Sequence, residues 1–149
     1  VIMTAPDPTG LLAEQLLRLN RRLHRAQRRL LEPVGITPAQ SRLLRTVAHF
    51  GDAPPRMADL AERLEVVPRA VTTLVDAMEE AGAVRRVPDP ANRRVIRIEL
   101  TDRGRSTLRA LRDARRTAAE DILAPLDDEQ REALSELLTQ LMAGPNGRC

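Results

Sequence analysis

Lysine, tryptophan and tyrosine are missing from this 149-residue chain, Phe50 is its one aromatic residue, and Cys149, at the last position, is its one cysteine. A lone terminal thiol excludes an intramolecular disulfide framework and a cysteine-ligated structural zinc, and it suits a reducing, cytoplasmic setting. Without aromatic platforms the chain lacks the stacking surfaces by which RNA-recognition and OB-type sheets hold single strands. Its core must instead be built from Leu, Val, Ile, Ala and Met. Apolar runs are short: none approaches the roughly 20 residues of a membrane span. The opening VIMTAPDPTG has no basic segment followed by an apolar one, so neither a membrane partner nor export is expected.

All 24 basic residues are Arg, set against 21 acids for a net charge of +3. With the sum so near neutral, location decides what the charges do. Arg can fork onto phosphate and guanine edges, which an ammonium group cannot. The length suits one domain, 1–149, with helices enlarging a small module.

Along the chain, Leu12, Leu16, Leu19, Leu23, Ala26 and Leu30 recur at spacings of four and three, one face of a long helix that Pro33 and Gly35 end. Leu11, Leu17 and Leu31 widen its apolar stripe beyond one contact surface, so a second subunit is expected against it. The arginines from Arg18 to Arg29 fit a solvated or inter-subunit ion-pairing face. Thr37-Pro38 opens a second helix, with Leu43, Leu44, Val47 and Ala48 as its buried side. A third helix is predicted over about Arg56 to Leu64. A fourth runs from Pro68 to Ala81, buries Val71, Leu74, Val75 and Met78, and stops at Gly82.

Past Gly82 the apolar period changes from helical to two. Val84 and Val87 lie on a short strand, Pro88-Asp89-Pro90-Ala91-Asn92 is turn chemistry, and Ile96, Ile98 and Leu100 alternate through a return strand. Thr101 then caps a helix to about Leu123, with Leu108, Leu111, Ala118 and Ile122 buried. Beyond Pro125 and Asp127 a last helix carries Leu134, Leu137, Leu138 and Leu141 on one side. The fold expected is mainly α with a two-stranded β wing: a winged helix-turn-helix lobe over 36–100, flanked by dimerisation helices over 9–32 and 101–143.

Small Ala61 in the third helix and the apolar anchors Val71 and Leu74 in the fourth sit where a steep crossing of two helices requires them. That leaves Arg69, Ala70, Thr72, Thr73 and Asp76 outward on a helix whose N-terminal half suits the major groove. Arg69 is the candidate for a guanine edge, Thr72 and Thr73 for bases or phosphates, and Asp76 for orienting an arginine. Pro68 at the helix start and Arg56 at the preceding one complete that face, and Arg86 on the first strand joins them. Arg93 and Arg94, at the tip of a narrow cationic loop, suit the minor groove. Asp89 and Asn92 are placed to fix a guanidinium.

The segments ITPAQSRLL, LAERL, PRAVTTLVDAMEEAG and above all DPANRRVIRIELTDRG resemble the MarR family of bacterial winged-helix regulators over nearly the whole chain. The resemblance implies a homodimer with interlocked first and last helices, a pseudo-palindromic double-stranded DNA operator, repression, and release by a small molecule. It makes Pro68 to Ala81 the recognition helix and Arg93 and Arg94 the wing-tip arginines. It also implies an effector pocket between dimerisation helices and DNA-binding lobe, where Arg22, His49 and Phe50 would meet a small anionic or aromatic ligand. The chain departs from that pattern at Glu65, where the turn often has Gly, at Val67, where the helix cap is often Ser, and at Asn92, where the second wing acid is often Asp. His24 and His49 stand apart, without Cys or a second His, so no metal is expected. No nucleophile–base pair or Gly-rich phosphate loop stands out, so no catalytic residue and no cofactor are expected. The rival reading is a winged-helix protein-interaction module whose arginines meet carboxylates.

Overall fold

The structure, a computed structural model, describes residues 8–144; Cys149 and the first seven residues lie outside the described residues. The elements are α1 (Pro8–Leu31), a 3-10 turn (Glu32–Val34), α2 (Pro38–His49), α3 (Met57–Leu64), α4 (Pro68–Glu80), β1 (Val84–Pro88), β2 (Ile96–Leu100), α5 (Asp102–Leu123) and α6 (Asp128–Met142). Their boundaries follow local chemistry. Gly35, at φ 72°, takes the left-handed conformation that closes the turn after α1. Thr37 and Gln40 form a reciprocal capping box at the start of α2, with bonds of 3.1 and 3.2 Å. Asp127 and Gln130 do the same for α6.

The core lies where α2, α3, α4, the hairpin and the first half of α5 converge. Leu43, Leu44, Leu60, Val71, Val75, Val84, Ile98 and Leu111 are all but sealed from solvent within it. Leu74 and Ile122 are only half-buried, and Ile96 is exposed. Ile96 sits in the last ladder pair, opposite Pro88, where the hairpin has left the helices behind.

Strands β1 and β2 pair antiparallel from Val84–Leu100 to Pro88–Ile96. A further segment lies along the other edge of β2: Arg56 and Arg97 form an isolated bridge, and Ile98 N–H donates to the Pro55 carbonyl at 2.8 Å. That extra pairing supplies support that a two-stranded ribbon lacks in water.

The hairpin is also fastened where it runs into α5. Thr101 Oγ1 donates to the Gly82 carbonyl at 2.5 Å and accepts from Gly104 N–H at 3.0 Å, while Thr101 N–H reaches Ala83 O at 3.1 Å. A Cβ on Gly104 would stand 1.9 Å from the Ala83 carbonyl oxygen, so only glycine allows this approach. The Leu-Thr-Asp-Arg-Gly end of the wing motif is thus the clasp between hairpin and α5.

Outside this body, α1 packs along α5, whereas α6 makes only sparse contact with the rest of its own chain. Leu12, Leu16 and Leu17 on α1, and Leu137, Leu141 and Met142 on α6, are each more than half exposed.

Candidate nucleic-acid interface

Helices α3 and α4 are joined by Glu65, Val66 and Val67. Glu65 is the one described non-glycine residue with positive φ, at 56°, and Val66 N–H closes the turn on Ala61 O at 3.1 Å. Val67 occupies the N-cap of α4 without a side-chain hydrogen bond, and Pro68 follows at the first helical position. Pro fits there because its missing N–H would have had no partner anyway.

Burial of Val71, Val75 and Met78 turns Arg69, Thr72, Thr73 and Asp76 outward, with Ala70 half-buried beside them. Among the described residues none lies within hydrogen-bond or ion-pair reach of the Arg69 guanidinium. The Thr72 and Thr73 hydroxyls donate to the Pro68 and Arg69 carbonyls, each at 3.2 Å. Each keeps an acceptor oxygen and a methyl group for an incoming surface.

Arg86 has two carboxylate partners. Its guanidinium donates to Asp76 at 2.5 Å and to Glu79 at 2.7 Å, and its backbone N–H reaches Glu79 at 3.0 Å. These bonds tie β1 to the outer side of α4. The backbone and guanidinium bonds from Arg86 hold the Glu79 carboxyl below the usual carboxylate range. Hydrogen bonding to Asp76, then to Glu79, raises Arg86 further above its ordinary value.

Asp89 is buried at the base of the wing turn. Its carboxylate accepts from Ala91 N–H at 2.7 Å, Asn92 N–H at 3.3 Å and Arg97 Nε at 2.5 Å. Those bonds, Ala91 N–H foremost, hold its carboxyl low. Asn92 Oδ1 accepts from the Arg94 backbone N–H at 3.2 Å. The guanidinium that Asp89 fixes is therefore that of Arg97, while Arg93 and Arg94 remain exposed and, among the described residues, without a side-chain partner. At the start of α3, Arg56 pairs with Asp59 at 3.2 Å, and Asp59 accepts from Arg56 N–H at 2.9 Å. The Arg56 side-chain bond holds the Asp59 carboxyl low.

The three residues expected to share an effector pocket line three concavities, of which those of His49 and Phe50 adjoin at Arg63. Arg22 lies with Arg18 and Arg25 on α1, His49 with Arg42 and Arg45, and Phe50 with Glu62 and Arg63, whose guanidinium stands 5.8 Å from the Phe50 ring centre. Arg22 sits on a different helix from the other two, which are consecutive in the chain. A cavity of about 570 Å³ lies elsewhere, between the end of α2, the hairpin and α5. Its apolar lining includes Val47, Leu100 and Leu108, and its cations are Arg85, Arg105, Arg109 and Arg112. Arg85 pairs with Glu99 and Arg105 with Asp102; Arg109 and Arg112 have no ion-pair partner among the described residues. The spacing of 105, 109 and 112 puts these three on one helix face, a signal present in the sequence.

The MarR family model matches residues 36–96, from the start of α2 to the return strand of the hairpin. The chain is 30% identical over 111 residues to the HTH-type transcriptional repressor Rv2887 of Mycobacterium tuberculosis, covering 74% of this chain and 78% of that protein. It superposes on the YusO protein of Bacillus subtilis with a TM-score of 0.83 at 25% identity, covering 95% of this chain and 99% of that one. An S. aureus MepR mutant bound to an oligodeoxyribonucleotide has the same fold, with a TM-score of 0.74 at 19% identity over 89% of this chain and 96% of that one. With the helix-turn-helix, the clasped basic wing and these relatives in agreement, the chain belongs to the MarR family of winged helix-turn-helix transcriptional regulators.

Proposed function

We propose that the protein is a repressor that binds a pseudo-palindromic double-stranded DNA operator as a homodimer and is released by a small anionic effector. The observation that carries the DNA reading is the division among the arginines. Arg86 and Arg97 are committed to carboxylates, whereas Arg69 on α4 and Arg93 and Arg94 on the wing face solvent uncommitted. Uncommitted arginines on a groove-sized helix and a narrow hairpin suit base edges and phosphates. Thr72 and Thr73 sit beside Arg69, and Pro68 and Ala70 leave the helix start slim. Rv2887 is named a repressor, and MepR carries DNA on the same fold, which supports the reading.

Dimerisation is supported by unpartnered apolar faces with matching charge. Helix α1 carries six arginines against Glu14, and α6 carries Asp128, Glu129, Glu132 and Glu136 against Arg131. The effector would sit in the cavity between α2, hairpin and α5, where Arg109 and Arg112 offer charge over the apolar floor of Val47, Leu100 and Leu108.

The test is a gel shift of the full chain on the DNA upstream of its own gene, against an unrelated duplex of equal length. Retardation of the first alone, in a complex with two chains per duplex, is expected. No retardation at low salt would sink the DNA reading and favour a protein-docking module.

A further inference from the structure

We propose that Arg97 is a positioning residue that holds the wing tip at its working distance from α4 without touching DNA itself; this rests on the operator-binding reading above. Its guanidinium spans two parts of the fold. Nε donates to Asp89 Oδ2 at 2.5 Å, and a terminal nitrogen donates to the Pro54 carbonyl at 2.6 Å. Pro54 belongs to the segment that leads into α3, next to the Pro55 carbonyl that takes Ile98 N–H at 2.8 Å. Asp89 begins the wing turn, and its other oxygen takes the Ala91 and Asn92 amides. Asn92 in turn accepts from Arg94 N–H. A continuous chain of hydrogen bonds thus runs from the body through Arg97 and Asp89 to the wing-tip backbone.

Two features make this a device rather than a surface ion pair. Asp89 is only 7% exposed, so its carboxylate depends on the donors around it, unlike an exposed pair that water can replace. The Arg97 guanidinium also uses its fork: two arms meet two acceptors from segments 35 residues apart, and a Lys ammonium on a flexible stem cannot hold both in one plane. The wing-tip position Asn92 has no charge of its own, so the anionic anchor of the turn falls to Asp89 and, through it, to Arg97.

The experiment compares wild type, Arg97→Lys, Arg97→Gln, Arg94→Ala and the double variant Arg97→Gln/Arg94→Ala, all as full-length protein. Two readouts are used. Amide hydrogen exchange of the free protein needs no DNA: Ala91 and Asn92 protection should fall in Arg97→Gln, be partly kept in Arg97→Lys, and leave α4 amides unchanged. Footprinting and binding then use a duplex selected by the wild type from a random pool. Arg97→Gln should lose minor-groove protection while guanine N7 protection in the major groove persists, with affinity falling about tenfold. The double variant should bind no worse than Arg94→Ala alone, because both changes remove the same contact. Unchanged Ala91 and Asn92 exchange, or fully additive losses in the double variant, would overturn the proposal. If the wild type selects no duplex while the exchange result holds, the operator reading fails and Arg97 is left as a support of the turn alone, which also overturns its positioning role.

Discussion

At the scale of single residues, the helix-turn-helix carries strain at one position and an unmade bond at another. Glu65 holds φ 56° and ψ 43°, where a Cβ crowds the backbone and glycine does not. Glu65→Gly removes that crowding but adds freedom to the unfolded chain, so the net gain expected is about 0.5 to 1 kcal/mol. Thermal melting should show it as a rise of roughly 2 °C, and a fall would mean that the Glu65 side chain makes contacts worth more than its strain. Val67→Ser supplies the missing cap acceptor and should add about 1 kcal/mol by the same measurement. Both positions lie beside Arg69, and neither takes part in holding it, so operator affinity should stay within about twofold. Asp89 sets a pH limit at this scale as well. Its folded-state carboxyl is held below the ordinary value, chiefly by Ala91 N–H and then by Arg97, so its contribution is complete above the unfolded value and is lost as pH falls through the lowered one. Wing amide protection measured by hydrogen exchange should therefore be flat from neutrality to about pH 5 and decline only below about pH 4. In Asp89→Asn that acid step should vanish together with most of the protection.

At the scale of elements, Gly104 at the junction of the hairpin and α5 has no room for a side chain. Gly104→Ala would drive a methyl group into the Ala83 carbonyl, a backbone atom that no rotamer change can move aside. The cost expected is about 1 to 3 kcal/mol in urea denaturation, with loss of the Thr101 bonds to Gly82 and Ala83. A neutral result would show that the start of α5 can shift away from the hairpin without penalty. Most of this architecture was legible in the sequence. Apolar spacing marked all six helices, Thr37, Thr101, Gly35 and Gly82 marked their ends, and the change of period after Gly82 marked the hairpin. What was not legible depends on contacts between distant segments. Nothing near Pro54 and Pro55 announces that they lie along β2, since proline cannot donate to a ladder and the pairing uses only their carbonyls. Arg86 reads like Arg93 and Arg94 in the sequence, because a charge run does not reveal which members have carboxylates waiting 7 and 10 residues away. The partners of Arg97, the Asp89 carboxylate 8 residues back and the Pro54 carbonyl 43 residues back, are hidden in the same way. Arg22, His49 and Phe50 were grouped by resemblance; Arg22 lies in a concavity of α1 alone, while His49 and Phe50, consecutive in the chain, line two adjoining ones.

At the scale of the whole molecule, the exposed apolar faces of α1 and α6 and the charge beside them bear on the proposed homodimer. Leu12 on α1 is 67% exposed and Leu141 on α6 is 69% exposed, and α6 has almost no seat on its own chain. In the proposed homodimer a second copy would supply an acidic α6 to a basic α1 and the reverse, a self-complementary interface that would close after two subunits. Leu141→Arg places a cation in the apolar face of α6, and light scattering should then report monomer at concentrations where the wild type is dimer. Operator binding makes the same point more sharply. If one rigid dimer presents two copies of α4 and two wings, the second half-site is engaged at high effective concentration once the first is bound. Loss of that linkage should weaken binding by about 10²-fold or more, even though Arg69, Arg93 and Arg94 in each chain are untouched. The monomeric variant should thus bind a full operator and an isolated half-site with nearly equal affinity, whereas the wild type should prefer the full operator strongly. Inserting five base pairs between the half-sites turns the second to the opposite side of the duplex, since successive grooves recur every 10 to 10.5 base pairs. That insertion should reduce wild-type binding to half-site strength in fluorescence anisotropy and leave the monomeric variant unaffected. Equal losses in both proteins would mean that the spacer itself is being read, and that the leucine faces of α1 and α6 serve something other than pairing two DNA-binding lobes.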